Sequence, residues 1–292
     1  MTTGERAHDT HRHGMHEHGS PLGFTGERVL PDRPEWAWCF QAHKFGYDDL
    51  LARIGQGDRV ADVGCGEGYG AAQLATKASF VVACDYAEDA VAHARSTYGS
   101  DRVAWLVCDA QRLPFAPGSF DAVSSLQVIE HFTDTDEHLG GIARALKPDG
   151  WHYVATPNID QMGPEEADNE FHLRDFTASA LREALGRHFG DVELLGMFYV
   201  ESSPRVRAMR AAEAGQDRVR PKLERLERLL AKLPGPVRVR LRPVARRLMG
   251  IPVVDLDAAL NAILAQDFEA RAPAEESFCL IGVARAPRPR AG

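Results

Sequence analysis

The sequence predicts an α/β fold with a doubly wound, mostly parallel sheet of seven strands that is covered by helices on both faces. Short apolar segments of strand length alternate with longer segments in which apolar residues recur at helical spacing, and this alternation is typical of parallel sheets. A glycine-rich turn follows the first predicted strand and opens a helix. The chain has 292 residues, enough for one large domain with additions.

The composition is that of a globular protein, since 44% of the residues are hydrophobic and 26% are charged. No apolar run approaches the roughly 18 residues that a spanning helix needs, and the N-terminus lacks a signal-peptide pattern. We therefore expect a cytoplasmic protein. The net charge of −8 argues against a nucleic-acid partner. The five cysteines have no paired or zinc-like spacing, so we expect them to be reduced.

Two segments precede the predicted core. Residues 1–23 have no apolar periodicity and are expected to form a disordered tail, although metal binding by its histidines is an alternative. These histidines are His8, His11, His13, His16 and His18. Residues 24–57 are expected to form an N-terminal helical extension, because apolar residues recur at helical spacing from Trp36 until Gly55.

The predicted core, residues 58–202, contains six strands, and the seventh lies in residues 267–292 ahead of a frayed tail. The predicted strands span residues 59–64, 79–85, 102–109, 119–126, 150–156, 192–200 and 277–286. The predicted helices span residues 69–77, 87–98, 135–146 and 177–188. Because strands and helices of this length alternate, the strands are expected to lie parallel.

A basic helical insertion, residues 203–266, separates the last two predicted strands. Leucines at helical spacing in residues 221–233 form one apolar row. Residues 203–250 contain 14 Arg or Lys and 4 Asp or Glu. This imbalance is compatible with a solvated lid whose arginines pair with acidic surfaces of the same chain. It is also compatible with a surface that contacts an anionic membrane or a phosphorylated or carboxylated acceptor.

Glycines and carboxylates at the ends of three successive strands predict a nucleoside-binding crevice. Gly64, Gly66 and Gly68 let the backbone turn sharply and let a ligand approach main-chain amides at a helix N-terminus. Asp85 ends the second strand, where a carboxylate can accept both ribose hydroxyls. Asp109 ends the third strand, where it can accept a hydrogen bond from an adenine amino group. An NAD-dependent oxidoreductase also fits the glycine turn.

Residues 60–158 resemble the class I S-adenosylmethionine-dependent methyltransferase family, which has a Rossmann-like fold. The motifs D-V-G-C-G-x-G-x-G, D-A-x-x-L-P-F, S-F-D-A-V, V-I-E-H and A-L-K-P-D-G occur in that order. The resemblance implies S-adenosylmethionine as cofactor, with its ribose at Asp85, its adenine at Asp109 and its sulfonium beside Gln127. The implied cofactor-binding residues are Asp62, Gly64, Gly66, Gly68, Asp85, Tyr86, Asp109, Ala110 and Gln127.

Outside that core, the sequence resembles a branch of the family that methylates sugars and other glycans, and the mycofactocin oligosaccharide methyltransferases are one candidate subgroup. The segments TGERVLP (25–31), ATPN (155–158) and NEFHLRDF (169–176) look like elements of that branch. Glu170, Asp175 and the HKF segment at 43–45 depart from its pattern.

This second resemblance implies O-methylation of a sugar hydroxyl in an oligosaccharide or a glycosylated small molecule. One alternative is a C- or N-methyltransferase of a quinone or natural product, because D-A-x-x-L-P-F also occurs in such enzymes. A second alternative is a non-enzymatic module that binds an adenosyl ligand.

A sugar hydroxyl needs a base that removes its proton during methyl transfer. His131 follows the fourth predicted strand and His172 follows the fifth, and histidine titrates near neutral pH. Glu130 lies next to His131. These three residues are the predicted catalytic groups. The alternatives are structural roles for the histidines in the core and an interaction of Glu130 with backbone amides at a helix start.

Several acidic residues could supply oxygen ligands to a divalent metal, which would acidify a hydroxyl. They are Glu130, Asp134, Asp136, Asp160 and Asp168. Because acidic loops are usually only solvated, we expect a reaction without a metal.

Overall fold

The computed structural model describes residue 29 and residues 37–162, 171–231, 233–250 and 255–288, and these form one eight-stranded sheet with surrounding helices. The strands are β1 (Arg59–Val63), β2 (Phe80–Asp85), β3 (Val103–Val107), β4 (Phe120–Leu126), β5 (Leu146–Pro157), β6 (Phe189–Tyr199), β7 (Phe268–Arg271) and β8 (Cys279–Pro287). Their order across the sheet is β3-β2-β1-β4-β5-β8-β6-β7. The first five pair in parallel, whereas β8 lies antiparallel between β5 and β6, and β7 is an antiparallel edge strand.

Helices cover both faces of the sheet. They are α1 (Ala37–Arg53), α2 (Tyr69–Leu74), α3 (Glu88–Tyr98), α4 (Asp136–Ala145), α5 (Ala178–His188), α6 (Pro204–Leu230), α7 (Gly235–Leu248) and α8 (Leu256–Asn261). Successive residues of a strand point to opposite faces. Val60 therefore packs with α1, α2 and α3, whereas Ala61 and Val63 pack with α4 and α5. None of the described helices is long and apolar enough to cross a membrane.

The sheet has a switch point between β1 and β4. From β1 the chain winds in one direction through β2 and β3, and β4 and β5 extend the sheet in the other direction. Loops at the carboxyl ends of β1 and β4 therefore diverge and leave a crevice, where doubly wound sheets bind their ligands. The glycine turn, residues 64–68, follows β1 directly at this point.

The predicted fold class is confirmed, with one strand more than expected. The additional strand, β7, has four residues, of which two are charged, so it is too short to produce an alternating pattern. The insertion therefore lies before the last two strands and not before the last one alone. Within it, α6 extends over 27 residues, and the predicted apolar row at 221–233 covers only its C-terminal part.

Some predictions fall outside the described residues. These concern the tail at 1–23, the TGERVLP segment except Val29, the first two residues of NEFHLRDF, and Asp168.

α1 packs closely against the core beside the glycine turn. Tyr47 of α1 is buried and its ring covers Gly70 of α2, where a Cβ would lie 2.0 Å from the ring carbon Cζ. The Tyr47 hydroxyl also donates a hydrogen bond to Asp62 of β1 at 3.2 Å. The absence of a side chain at Gly70 therefore sets how closely α1 approaches the sheet.

We expect Gly70→Ala to lower the free energy of unfolding by about 1–3 kcal/mol, because the added methyl group overpacks the contact with Tyr47. Urea denaturation measures this change. Gly186→Ala is the matched control, since Gly186 lies in α5 with no described atom within 4 Å of its Cβ position. That control should gain about 0.5–1 kcal/mol from the higher helix propensity of alanine. Equal stability of the two variants would contradict the tight α1–α2 contact.

Candidate active site

The glycine turn after β1 adopts a conformation that suits glycine alone. Gly64, Gly66 and Gly68 have φ values of 74°, 51° and 98°, in the left-handed region that residues with a Cβ rarely adopt. A Cβ on Gly64 would lie 2.4 Å from Cγ2 of Val128. At Gly66, in contrast, no described atom lies within 4 Å of the Cβ position. The backbone at Gly66 is thus open to a ligand.

Asp85, the last residue of β2, is hydrogen-bonded to this turn. Its Oδ2 accepts a hydrogen bond from the Gly66 amide at 2.9 Å, and its Oδ1 accepts one from the Ala87 amide at 3.0 Å. The side chain is mostly buried but lines the cavity beside the turn. Because a carboxylate has about four acceptor sites, each oxygen can accept a further hydrogen bond from a ligand.

A first cavity of about 210 Å³ lies at the switch point of the sheet. It brings together predicted cofactor-binding residues from the ends of four strands, and Tyr86 stands 65% exposed beside it. Those that line it are Gly64, Gly66, Asp85, Tyr86, Asp109, Ala110 and Gln127. Their contact with a cofactor stays a prediction. The open Gly66 backbone and the carboxylates of Asp85 and Asp109 fit the adenosyl group that the sequence implies.

Asp62 and Gly68, which were also predicted to bind the cofactor, do not line this cavity. Asp62 has no exposed surface and accepts hydrogen bonds from the hydroxyls of Tyr47 at 3.2 Å and Ser124 at 2.7 Å. Burial raises the pKa of Asp62 to about 6. A Cβ on Gly68 would lie 2.5 Å from Cβ of Ala94, so Gly68 permits the packing of α3. Both residues therefore make packing or hydrogen-bond contacts next to the turn, and their contact with a cofactor stays a prediction.

A second cavity of about 500 Å³ adjoins the first. Five residues line both cavities and form their boundary, namely Val29, His43, Leu126, Gln127 and His131. Gln127 has a φ of 54°, an uncommon value for a residue with a side chain. Its backbone N–H donates a hydrogen bond to the Ala155 carbonyl at 2.8 Å. Such strained positions concentrate at functional sites.

The wall of the second cavity is mostly apolar, with polar groups at a few places. The apolar side chains are Trp38, Ala42, Leu126, Ala155, Pro157, Met162, Phe171, Met197 and Phe278, and the polar ones include His43, Gln127, Glu130, His131, Gln161 and His172. This composition is typical of a site for an organic ligand that a few polar groups orient.

His131 holds one ring nitrogen in a fixed hydrogen bond. Its Nδ1 lies 2.9 Å from the carbonyl oxygen of Phe171, and a carbonyl can only accept. Nδ1 must therefore carry the proton, which leaves the lone pair of the neutral ring on Nε2. The His172 ring lies 5.6 Å from that of His131, between ring centroids. Burial, together with His131, lowers the pKa of His172.

Glu130 is buried next to this pair. Its Oε2 accepts a hydrogen bond from the Thr156 hydroxyl at 3.0 Å, and its Oε1 has no hydrogen-bond partner among the described residues. Burial raises the pKa of Glu130 to about 7. Its backbone carbonyl accepts the amides of Leu173 and Arg174 at 2.9 and 3.0 Å, which ties the segment after β5 to the end of β4.

The sequence did not predict the cavity-lining residues of α1, among them His43 and Trp38. His43 of α1 was interpreted only as part of the HKF segment, yet it lines both cavities. Burial lowers its pKa to about 4, so the ring is neutral at physiological pH, and its Nδ1 lies 3.4 Å from the Tyr69 hydroxyl. Trp38, one turn earlier in α1, walls the second cavity. The only available signal was their place in an apolar helix that precedes the glycine turn.

The acidic residues considered as metal ligands are dispersed. Asp136 pairs with Arg187 at 3.0 Å and His188 at 3.1 Å, and Asp134 accepts the Asp136 amide. Within the described ranges, no group of three His, Cys, Asp or Glu side chains could hold a metal ion.

The raised pKa of Glu130 makes stability depend on pH. Between about pH 4.5 and 7 the folded chain binds more protons at Glu130 than the unfolded chain, so the free energy of unfolding falls as pH rises. Glu130→Gln keeps an acceptor for Thr156 but removes this titration. We expect the free energy of unfolding to fall less between about pH 5 and about pH 8 in the variant than in the parent protein, by about 2–3 kcal/mol. Urea denaturation at a series of pH values measures this difference. An equal fall in both proteins would contradict a buried, ionisable Glu130.

Comparisons with known proteins bear on the family. Residues 61–154 match the family model described as a methyltransferase domain. A Mycobacterium tuberculosis protein named as a probable S-adenosylmethionine-dependent methyltransferase is 39% identical over 197 residues, which cover 66% of this chain and 70% of that protein. The demethylmenaquinone methyltransferase of Beutenbergia cavernae is 35% identical over 129 residues, which cover 44% of this chain and 52% of that enzyme.

The fold has a counterpart among solved structures. An S-adenosylmethionine-dependent methyltransferase of Thermotoga maritima superposes with a TM-score of 0.54 at 15% identity, over 86% of this chain and 92% of that one. This likeness shows the fold, and the family model and the sequence relatives confirm the predicted enzyme class and its cofactor. The chain therefore belongs to the S-adenosylmethionine-dependent methyltransferase family.

Proposed function

We propose that this methyltransferase methylates a sugar hydroxyl of an oligosaccharide or a glycosylated small molecule. The observation that carries the proposal is the place of His131, which lines both cavities and keeps its Nε2 lone pair available. A base at this boundary suits a hydroxyl acceptor, because a hydroxyl is a poor nucleophile until its proton is removed.

In this proposal the first cavity holds the cofactor. Asp85 accepts the ribose hydroxyls, Asp109 and the Ala110 backbone contact the adenine, and the open backbone at Gly66 receives the methionyl part. The bound cofactor supplies a methyl group on a positively charged sulfur. Gln127 lies at the boundary of the two cavities and orients the cofactor and the acceptor toward each other. This orientation matters because most of the rate of a methyl transfer comes from the alignment of the reacting groups.

His131 then moves the proton. Its Nε2 accepts the proton of the acceptor hydroxyl, and Nδ1 keeps donating to Phe171, so the ring does not change its orientation. The ring becomes positively charged in this step. The buried Glu130 carboxyl, when ionised, stabilises that charge, since charges interact strongly in a poorly solvated site.

The second cavity holds the acceptor in this proposal. A sugar ring has apolar C–H faces as well as hydroxyls, and both find partners on this wall. Trp38, Phe171 and Phe278 offer aromatic surface to the ring faces, whereas Gln161 and His172 offer hydrogen bonds to the hydroxyls. The same apolar side chains exclude water from the reacting atoms.

A quinone or an aromatic natural product is the second candidate acceptor. The mostly apolar wall favours it, because Trp38, Met162, Met197 and Phe278 suit a flat, lipophilic ring. One relative is named a demethylmenaquinone methyltransferase. A ring carbon or nitrogen would then receive the methyl group, and His131 would only orient the acceptor.

Product analysis distinguishes the two candidates. The enzyme is incubated with methyl-labelled cofactor, a mixture of short oligosaccharides and a demethylated quinone, and the products are separated and identified by mass spectrometry. Label in an oxygen-linked methyl group of a sugar supports the proposal. Label in the quinone alone overturns it in favour of the second candidate.

We expect Asp85→Ala to weaken the binding of S-adenosylhomocysteine by about 1–3 kcal/mol, because the ribose hydroxyls lose a charged acceptor. Isothermal titration calorimetry measures the dissociation constant. Asp101→Ala is the control, since Asp101 precedes β3 at the amino ends of the parallel strands, whereas Asp85 lies at the carboxyl end of β2. An unchanged dissociation constant for the Asp85 variant would mean that the ribose binds elsewhere.

We expect His131→Asn to lower kcat about 100- to 10,000-fold, as removal of a general base does. The asparagine amide can still donate to Phe171, so the affinity for S-adenosylhomocysteine should change little. His172→Asn is the comparison variant, because His172 lines only the second cavity, and it should mainly raise KM for the acceptor. A His131 variant with nearly the kcat of the parent enzyme would exclude His131 as the base.

A further inference from the structure

α7 carries an apolar row that the protein leaves exposed. Val237, Leu241, Val244 and Leu248 follow one another at intervals of four, three and four residues, so they lie on one face of the helix. Their side chains are between 42% and 82% exposed. An exposed apolar row of this length is unusual on a protein surface unless it contacts something else.

The residues of the exposed row do not form the contact between α7 and the rest of the described protein. α7 packs against α6 through a separate small cluster, in which Ala245 and Met249 contact Val219, Leu226 and Leu230. No residue of the exposed row belongs to that cluster. The contact with α6 thus fixes α7 and leaves the row exposed.

The charges of α7 differ from those of α6. α7 contains five arginines and no Asp or Glu, whereas the four acidic residues of segment 203–250 all lie in α6. In α6, Arg205 pairs with Asp267 at 2.6 Å and Arg220 pairs with Asp217 at 2.8 Å.

The arginines beside the exposed row lack such partners. Arg238, Arg240 and Arg247 are exposed, and none of them forms an ion pair with another residue in the part of the chain that the structure describes. The expectation that the arginines of the insertion pair with acidic residues of the same chain therefore suits Arg205, Arg210 and Arg220 of α6, but not these three.

We propose that α7 binds peripherally to an anionic phospholipid bilayer. In this arrangement the valines and leucines of the row enter the boundary between headgroups and acyl chains, and the arginines contact lipid phosphates. The absence of any acidic residue in α7 favours this partner, because a carboxylate there would repel an anionic surface. An apolar row with arginines and without acids is the composition of interfacial helices.

Vesicle sedimentation of the full-length protein tests this proposal and does not depend on the acceptor or on catalysis. The vesicles contain either phosphatidylcholine alone or an equal mixture of phosphatidylcholine and phosphatidylglycerol. The protein should sediment with the anionic vesicles only, and added salt should weaken this binding because it screens the arginines.

Variants of α7 identify the responsible side chains. The double change Arg238→Gln and Arg240→Gln should lower the partition coefficient about 25-fold, since each arginine near an anionic surface contributes about fivefold. The double change Leu241→Gln and Leu248→Gln should lower it about tenfold or more. Arg218→Gln and Leu229→Gln, both at exposed positions of α6, are the matched controls and should bind as the parent does. Circular dichroism and the affinity for S-adenosylhomocysteine check that every variant is folded.

Several results would overturn the proposal. They are equal binding to both kinds of vesicle, binding to neither, or a loss that is the same for the α6 and α7 variants. Sedimentation velocity tests a second copy of the chain as the alternative partner. If the Leu241 and Leu248 changes convert a dimer into a monomer and leave vesicle binding unchanged, the row is an interface between copies and not a membrane contact.

Discussion

The hydrogen bonds of one buried carboxylate join the elements on which both cavities depend. Asp62 lies in β1 and accepts hydrogen bonds from Tyr47 of α1 and Ser124 of β4. It thus connects the helix that walls the second cavity with the two strands that flank the switch point. Because the group has no exposed surface, the loss of either donor would leave a buried acceptor unsatisfied and destabilise the base of the glycine turn.

A second set of contacts relates the proposed base to a segment that follows β5. The ring of His131 donates to the Phe171 carbonyl, and the Glu130 carbonyl accepts the amides of Leu173 and Arg174. The orientation of His131 is therefore fixed by the same segment that brings His172 to the cavity wall. A change in this segment would therefore alter the wall of the second cavity and the orientation of His131 together.

Local patterns in the sequence were sufficient to predict the fold and much of the first cavity. The glycine turn and Asp85 could be predicted because a turn conformation and a strand end are encoded by neighbouring residues. The resemblance to the methyltransferase family implied that Asp62 also contacts the cofactor. Its side chain points toward α1, since alternate residues of a strand face opposite sides of the sheet, and its contact with the cofactor stays a prediction.

The second cavity could not be predicted in the same way. Its wall combines Trp38 and His43 of α1 with Met162, Phe171 and Phe278, which are far apart along the chain and follow no shared pattern. Hydrophobic periodicity indicates that α1 is buried on one side, but not which of its residues reach a cavity. β7 was missed for a related reason, because four residues do not establish a period.

The position of β8 means that the sheet is completed only after the other described strands have been synthesised. β8 pairs with both β5 and β6, yet it comes last along the chain among the described strands. While the ribosome still holds this segment, β1 to β5 can associate, but β5 and β6 cannot be bridged. Phe278 and Cys279, which wall the second cavity, emerge at the same time. The nascent protein can therefore form the first cavity before the second one, and the edge of β5 stays open to aggregation until β8 has emerged.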